Sequence, residues 1–274
     1  MTITLSTLNA GMQAPYRLFK PSTTSEGAGT SHSLWAIAGN PAAGSTPPAF
    51  SAGSGYVPTR ATTGAIGQPN AAGGNELRTV GANATGTVAG LLTIYDRLWH
   101  CSGFGTVVTT AQDVVTGGAI TTGRLRDGSA DYSDLELWGE VYTAPGATGA
   151  TWTVQCPDGG GTDRAWTYTH PANAESVGQM FRFTPPAAAA AGCRVPTRFT
   201  ASVSSGTAGN IGLTVLRRIA DIPIVATNVP MPLSSLDLGL ARVRDDACLA
   251  MMVQCTATTT GLIIAGFFLS DVTP

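Results

Sequence analysis

The apolar residues of this chain come in strand-sized runs, and Gly and Pro interrupt them too often for long helices. The chain has 34 glycines and 17 prolines in 274 residues, which favours turns and irregular backbone. From Leu91 onward, LLTIYDRLWHCSGF is dense in β-branched and aromatic residues, and TVVTTAQDVV follows it. LELWGEVYTA alternates, with Leu135, Leu137, Gly139 and Val141 on one side and Glu136, Trp138, Glu140 and Tyr142 on the other. ATWTVQC repeats the period of two, and PGATG between them reads as a hairpin connector. Further strands are expected near residues 165–169, 179–184, 198–204, 212–219 and 222–229. Residues 248–257 and 262–271 read as a closing hairpin across TTTG. Helical signals are scarce: Leu233–Val243 (LSSLDLGLARV) reads as a short helix and Ala172–Val177 as a single turn. Roughly eight to ten short strands with Gly-rich turns predict an all-β fold, an antiparallel β-sandwich of jelly-roll-like type.

The first third has a different texture. Residues 1–88 carry six charged side chains, Arg17, Lys20, Glu26, Arg60, Glu76 and Arg78, among many Gly, Ala, Pro, Ser and Thr. The stretch has too few large apolar residues for a core, and too little charge for a free, solvated tail. A structureless loop of such length is abnormal inside a compact domain. It is therefore read as an extended arm (1–88, with one short strand at Ser33–Ala38), followed by a sandwich domain over 89–274. Trp35, Phe50, Tyr56 and Ile66 are its expected anchors in pockets of a neighbouring molecule, with Arg60 and Arg78 as polar ties.

Charged residues form 12% of the chain, about half of the ~25% usual for soluble proteins. Net charge is −2, and the arginines are scattered, which argues against a nucleic-acid partner. The N-terminus has no basic segment followed by an apolar core. The apolar runs Leu249–Val253 and Leu262–Leu269 fall short of the ~18 residues of a spanning helix. No membrane partner is expected. Five cysteines without CxxC spacing read as buried thiols in strands.

Candidate chemistry is sparse. Asp127, Asp131, Asp134 and Glu136 in RDGSADYSDLE are hard oxygen donors on a Gly-containing loop, the type calcium prefers. Their spacing does not match an EF-hand, and Arg124 and Arg126 lie close by, so the reading is a solvated turn and no metal. His32, His100 and His170 lack zinc-ligand spacing. GxSxG is absent, and no triad is evident. Asp158-Gly-Gly-Gly-Thr-Asp163 reads as a hairpin loop and not a phosphate loop. Trp138, Trp152 and Trp166 are core residues in one reading and a carbohydrate platform in the other. No cofactor and no enzymatic activity are expected.

The segment Leu92–Gly103, LTIYDRLWHCSG, followed by TVVTTAQ, resembles a segment of virion structural proteins of tailed bacteriophages. The resemblance covers roughly a tenth of the chain and marks no catalytic residue. It implies a particle component made in the host cytoplasm and located in the virion. The expected partners are the major capsid protein or other virion proteins, together with copies of the chain itself as a homotrimer. A capsid decoration or cement protein is the preferred form; a tail, collar or head-fibre subunit and a carbohydrate-binding module are the alternatives. Within YDRLW, Asp96 and Arg97 are adjacent and so point to opposite faces. One of them is expected to pair across a sheet edge or interface while Trp99 packs.

Overall fold

The computed structural model describes residues 16–21, 27–68, 74–85, 89–115, 117–126, 128–173, 175–239 and 241–257, and the backbone of 263–271. Its strands are β1 (Tyr16–Lys20), β2 (Ser31–Ser33), β3 (Asn75–Ala84), β4 (Gly90–Gly105) and β5 (Gln112–Asp113). They continue with β6 (Leu135–Thr143), β7 (Ala150–Pro157), β8 (Asp163–His170), β9 (Gln179–Arg182) and β10 (Arg198–Ala201). The last are β11 (Asn210–Ile224), β12 (Met231–Ser234), β13 (Arg242–Val243), β14 (Leu249–Cys255) and β15 (Ile263–Asp271). One 3-10 turn, Thr122–Arg124, is the only helical element among the described residues. The fold is all-β, and its named strands pair antiparallel, as the alternating runs predict.

The chain divides into two compact units. Unit 1 comprises Met1–Ser45, Thr59–Asp96 and Arg218–Pro274. One of its sheets has the order β1-β15-β3-β12, with β13 also paired to β3. Opposite lies β14, hydrogen-bonded to β2 on one side and to the first half of β4 on the other. Leu77, Val80 and Ala82 of β3 meet Leu92, Ile94, Ile222, Met251 and Val253 in the core between these layers. β14 and the first half of β4 are buried along almost their whole length, which is why they read as near-continuous apolar runs.

Unit 2 comprises Thr46–Pro58 and Arg97–Arg217. Its four-stranded sheet runs β5-β10-β7-β8. The facing layer places β6 between β9 and the first half of β11. Strand β7 shows the period of two directly: Ala150, Trp152, Val154 and Cys156 point into the core, and Thr151, Thr153 and Gln155 point away. Gly139 on β6 is required by close packing, because a Cβ there would lie 2.2 Å from the Phe181 ring. Cys101, Cys156, Cys193, Cys248 and Cys255 are all buried free thiols.

Several local expectations are corrected. β6 and β7 are not a hairpin; PGATG carries the chain from one sheet to another, and the true hairpin is β7–β8 across Asp158–Asp163. β14 and β15 likewise lie in different sheets. The helix expected over Leu233–Val243 is instead β12, a turn and β13, because both strands pair with β3. The strand expected at Ser33–Ala38 is β2 followed by a turn.

The largest correction concerns the arm. Over its described residues, the stretch 1–88 is divided between the two units and contributes β1, β2 and β3. Its irregular parts are held by hydrogen bonds to strand edges. In unit 2, Ser102 N–H donates to Pro48 O (2.8 Å), Phe50 N–H to Ser102 O (2.7 Å) and His100 N–H to Tyr56 O (2.8 Å). In unit 1, Ile66 N–H donates to Leu249 O (2.8 Å), and the Gln68 amide caps the carbonyls of Arg244, Asp245 and Ala247. These contacts make residues 39–68 resistant to a non-specific protease in the isolated protein. Mass spectrometry of a subtilisin time course should find first cuts outside this range; early cleavage at Ala49–Thr63 would restore the arm.

His32 on β2 gives unit 1 a second testable property. It is buried, and its Nε2 accepts from Gly27 N–H (3.0 Å). Burial lowers its pKa from 6.5 to about 4. The unfolded chain therefore binds the proton first as pH falls, so the contribution of neutral His32 is full above 6.5 and is lost between 6.5 and about 4. His32→Gln should flatten the loss of stability over that window, measured by urea unfolding at pH 7 and pH 4.5.

Candidate interaction surface

The residues expected to anchor an arm are occupied within their own units. Trp35 is buried in unit 1, donates its indole N–H to Ser45 O (2.8 Å) and packs on Gly44, where a Cβ would lie 2.2 Å from the ring. Ile66 is part of the same core. Arg60 pairs with Asp245 at 3.2 Å near the surface, and Arg78 is half-buried on β3. In unit 2, Phe50 stacks on Phe104, with ring centroids 4.7 Å apart. The Tyr56 ring lies against Trp99, and its hydroxyl accepts from Gly53 N–H (2.9 Å) and lies 2.7 Å from Phe50 O. None of Trp35, Tyr56 and Ile66 is left to enter a neighbour.

Asp96 and Arg97 are both wholly buried, which corrects their expected place at an edge or interface. Asp96 accepts the N–H of Cys248 at 2.9 Å in unit 1. Arg97 lies in unit 2, where Nη2 reaches Glu140 Oε2 (2.6 Å) and the Tyr142 hydroxyl (2.8 Å), and Nε donates to His100 Nδ1 (2.8 Å). Tyr142 in turn donates to Glu140 Oε2 (2.6 Å). Burial, with Arg97 adding to it, holds the His100 pKa well below the usual histidine range. Burial likewise pushes the Tyr142 hydroxyl well above the ordinary tyrosine value. This network joins one cation, one carboxylate and two neutral groups. The alternation of β6 places Glu140 and Tyr142 on one face, and nothing in the sequence linked that face to Arg97.

The acidic loop does not converge. Asp127 lies outside the described residues. Asp131 accepts from its own turn at Ser133 N–H (2.9 Å), and this hydrogen bonding lowers its pKa. Burial raises the pKa of Asp134, with Arg217 opposing. Glu136 accepts from Trp138 Nε1 (2.7 Å) and pairs with Arg182 at 3.5 Å. Among the described residues, no three His, Cys, Asp or Glu side chains are grouped to hold a metal ion. Trp138, Trp152 and Trp166 are buried, so the carbohydrate platform has no exposed rings from them.

A surface the sequence reading did not single out lies in unit 1. Between Asp221 and Asp237 the chain reads IPIVATNVPMPLSSL, without a charge. Val225, Val229, Met231 and Leu236 along it are exposed, Leu236 to 80%. β12 is the last strand on this side of its sheet. Pro232 faces Gly81 of β3 and has no N–H, so the ladder bonds fall at Met231–Ala82 and Leu233–Val80. The outward positions are then Pro230 and Pro232, which have no donor, and Ser234, whose N–H is taken by Asp237 Oδ2 (2.8 Å). The edge therefore rejects strand addition but offers apolar side chains. The fifteen-residue gap in charge was the available signal.

No family model matches the chain, and no curated protein matches it. Among solved structures, it is similar to the infectious bursal disease virus VP2 subviral particle, with TM-score 0.21 and 10% identity over 99% of this chain and 83% of that one. A structure of the Gx strain of the same virus gives TM-score 0.20 and 10% identity over 94% and 80%. At such scores the likeness carries no argument about function.

The Arg97 network makes a sharp prediction. Removing one partner leaves the other charge buried, which typically costs 3–5 kcal/mol. Glu140→Gln should lower stability by about 3 kcal/mol in urea unfolding, whereas Arg97→Met combined with Glu140→Leu should fall closer to wild type. Equal losses in the two variants would show that the pair itself is not what stabilises this region.

Proposed function

We propose that the protein is a structural subunit of a bacteriophage particle, and that it acts as a capsid decoration protein. The carrying observation is the charge-free, exposed segment around β12, which presents Val225, Val229, Met231 and Leu236 on an edge closed to strand pairing. Exposed apolar surface of this kind marks protein contact sites, and interface cores are depleted in charge. The resemblance of LTIYDRLWHCSG to phage virion proteins supports the same reading. The shell is the partner, and the contact is made by side chains of a folded surface instead of by an arm.

The mechanism is mass action. A subunit that binds the assembled shell and not its separated components stabilises the shell by its binding free energy. If the subunit is a homotrimer, three equivalent contacts raise the effective concentration of each for the lattice. No step requires a catalytic group.

Co-sedimentation with purified shells tests this reading. Wild type should bind at a copy number in the hundreds and raise the temperature at which shells disrupt. Leu236→Glu and Met231→Glu should each weaken binding at least tenfold without changing the unfolding transition of the free protein. A copy number of tens or fewer on native particles would assign the subunit to the collar or tail. Unaltered binding by both variants would remove the β12 surface from the interface.

A further inference from the structure

We propose that His170 and Glu175 in unit 2 hold one proton between them, and that this proton latches the connection from β8 to β9, which opens as pH rises. His170 ends β8, and Glu175 lies in the connection that follows. Both side chains are buried, at 0% and 1% exposure. The His170 ring stacks on Trp152, with centroids 4.4 Å apart, and its Nε2 lies 3.0 Å from Gly146 O. A carbonyl can only accept, so Nε2 carries a hydrogen. The stack and this bond fix the ring, and Nδ1 is left facing Glu175 Oε2 at 3.3 Å.

Nδ1 and Oε2 are both sealed from solvent and have no other hydrogen-bond partner. Without a proton between them, two lone pairs would face each other in a dry site, which is strongly unfavourable. One proton satisfies both atoms, whether it sits on the imidazole or on the carboxyl, and leaves the pair with no net charge. Glu175 Oε1 accepts from the Tyr168 hydroxyl (2.5 Å). Burial, with Glu175 adding to it, pushes that hydroxyl above the ordinary tyrosine value, so it stays neutral. The titratable groups facing Glu175 are therefore Tyr168 and His170, both from β8, while β7 and β9 add the uncharged rings of Trp152 and Phe181. Burial raises the Glu175 pKa, with Tyr168 and His170 opposing, in the direction a retained proton requires.

The sign of the pH effect follows from counting protons. Solvated Glu and His titrate near about 4.3 and about 6.5. Between these values the open and closed segments both hold one proton on the pair, and opening does not depend on pH. Above about 6.5 the open segment holds none and the closed segment keeps one. Opening then releases a proton to water, and its equilibrium constant rises about tenfold per pH unit until the closed pair loses its proton. At the end of the connection, Gly178 N–H donates to Val141 O (2.8 Å) and so reports closure. The latch stands apart from the assembly reading, because it lies wholly within unit 2.

The experiment is amide hydrogen exchange of the full chain, followed by NMR from about pH 5.5 to about pH 8.5 and corrected for the intrinsic exchange rate. Protection of Gly178 should be constant up to about pH 6.5 and then fall by about tenfold per unit. Glu175→Gln can donate an amide N–H to neutral Nδ1 and accept from Tyr168, so it needs no shared proton, and its Gly178 protection should not change with pH. In the wild type at about pH 7.5, ring ¹⁵N and carboxyl ¹³C signals should show either Nδ1 of His170 or the Glu175 carboxyl protonated. The proposal is overturned by a neutral His170 beside an ionised Glu175 at that pH, by Gly178 protection that stays flat in the wild type, or by a pH slope that survives in Glu175→Gln. If Glu175→Gln fails to fold, the wild-type ring and carboxyl signals decide.

Discussion

Every buried N–H and C=O in this chain has to find a partner, and the Gly-, Pro- and Ala-rich segments cannot supply one for themselves. That requirement organises the structure around β4. Its sixteen residues are buried almost throughout. In unit 1 its first half is paired to β14. In unit 2, the irregular backbone of 47–56 lies along its second half and exchanges hydrogen bonds at His100 and Ser102, with Ser102 Oγ also donating to Pro47 O (2.7 Å). A segment with no strand pattern is thus ordered by a strand that has one. The sparse large side chains Phe50 and Tyr56 then fall onto Phe104 and Trp99 as a consequence of that alignment.

Scarcity of charge raises the stakes for each charge that is buried. Arg97 sits within an unbroken buried run of β4, and its guanidinium donates to a carboxylate, a phenol and an imidazole. Such pairs are weak evidence for stability, since an apolar replacement of equal volume is often as good. What the network does is dictate register. A slip of β6 by one residue would carry Glu140 and Tyr142 to the opposite face and take the carboxylate away from Arg97. His170 shows the same economy elsewhere in unit 2: its ring is stacked on Trp152, and Nδ1 lies 3.3 Å from Glu175.

The fold class was legible because period-two alternation survives in β6, β7 and β8, and the Asp158–Asp163 hairpin because Gly-rich turns are local. Pairing between sheets was not. PGATG and TTTG look like hairpin turns, yet the strands they join pair with distant partners, which a single sequence does not display. The arm was misread for a related reason. Residues 39–68 have neither periodicity nor charge, and composition cannot tell a backbone that lies on a foreign surface from one that lies on its own β4 and β14. Of the expected site residues, Trp99 packs in a core, whereas Trp35, Tyr56 and Ile66, read as anchors for a neighbour, are buried within their own units, and Arg97 is paired inside unit 2.

That reassignment changes what kind of surface can make external contacts. An extended arm would bind through its backbone and would have to be ordered at the moment of binding, which subtracts from affinity. The β12 edge is already ordered by β3, and two prolines and one capped N–H remove its capacity for strand exchange. Docking there gains only from side-chain burial, so it is shape-selective and leaves sheet register untouched. The proposed role of adding to a finished lattice without joining sheets into aggregates calls for that combination: exposed Leu236 and Met231 for contact, and an edge poor in free donors.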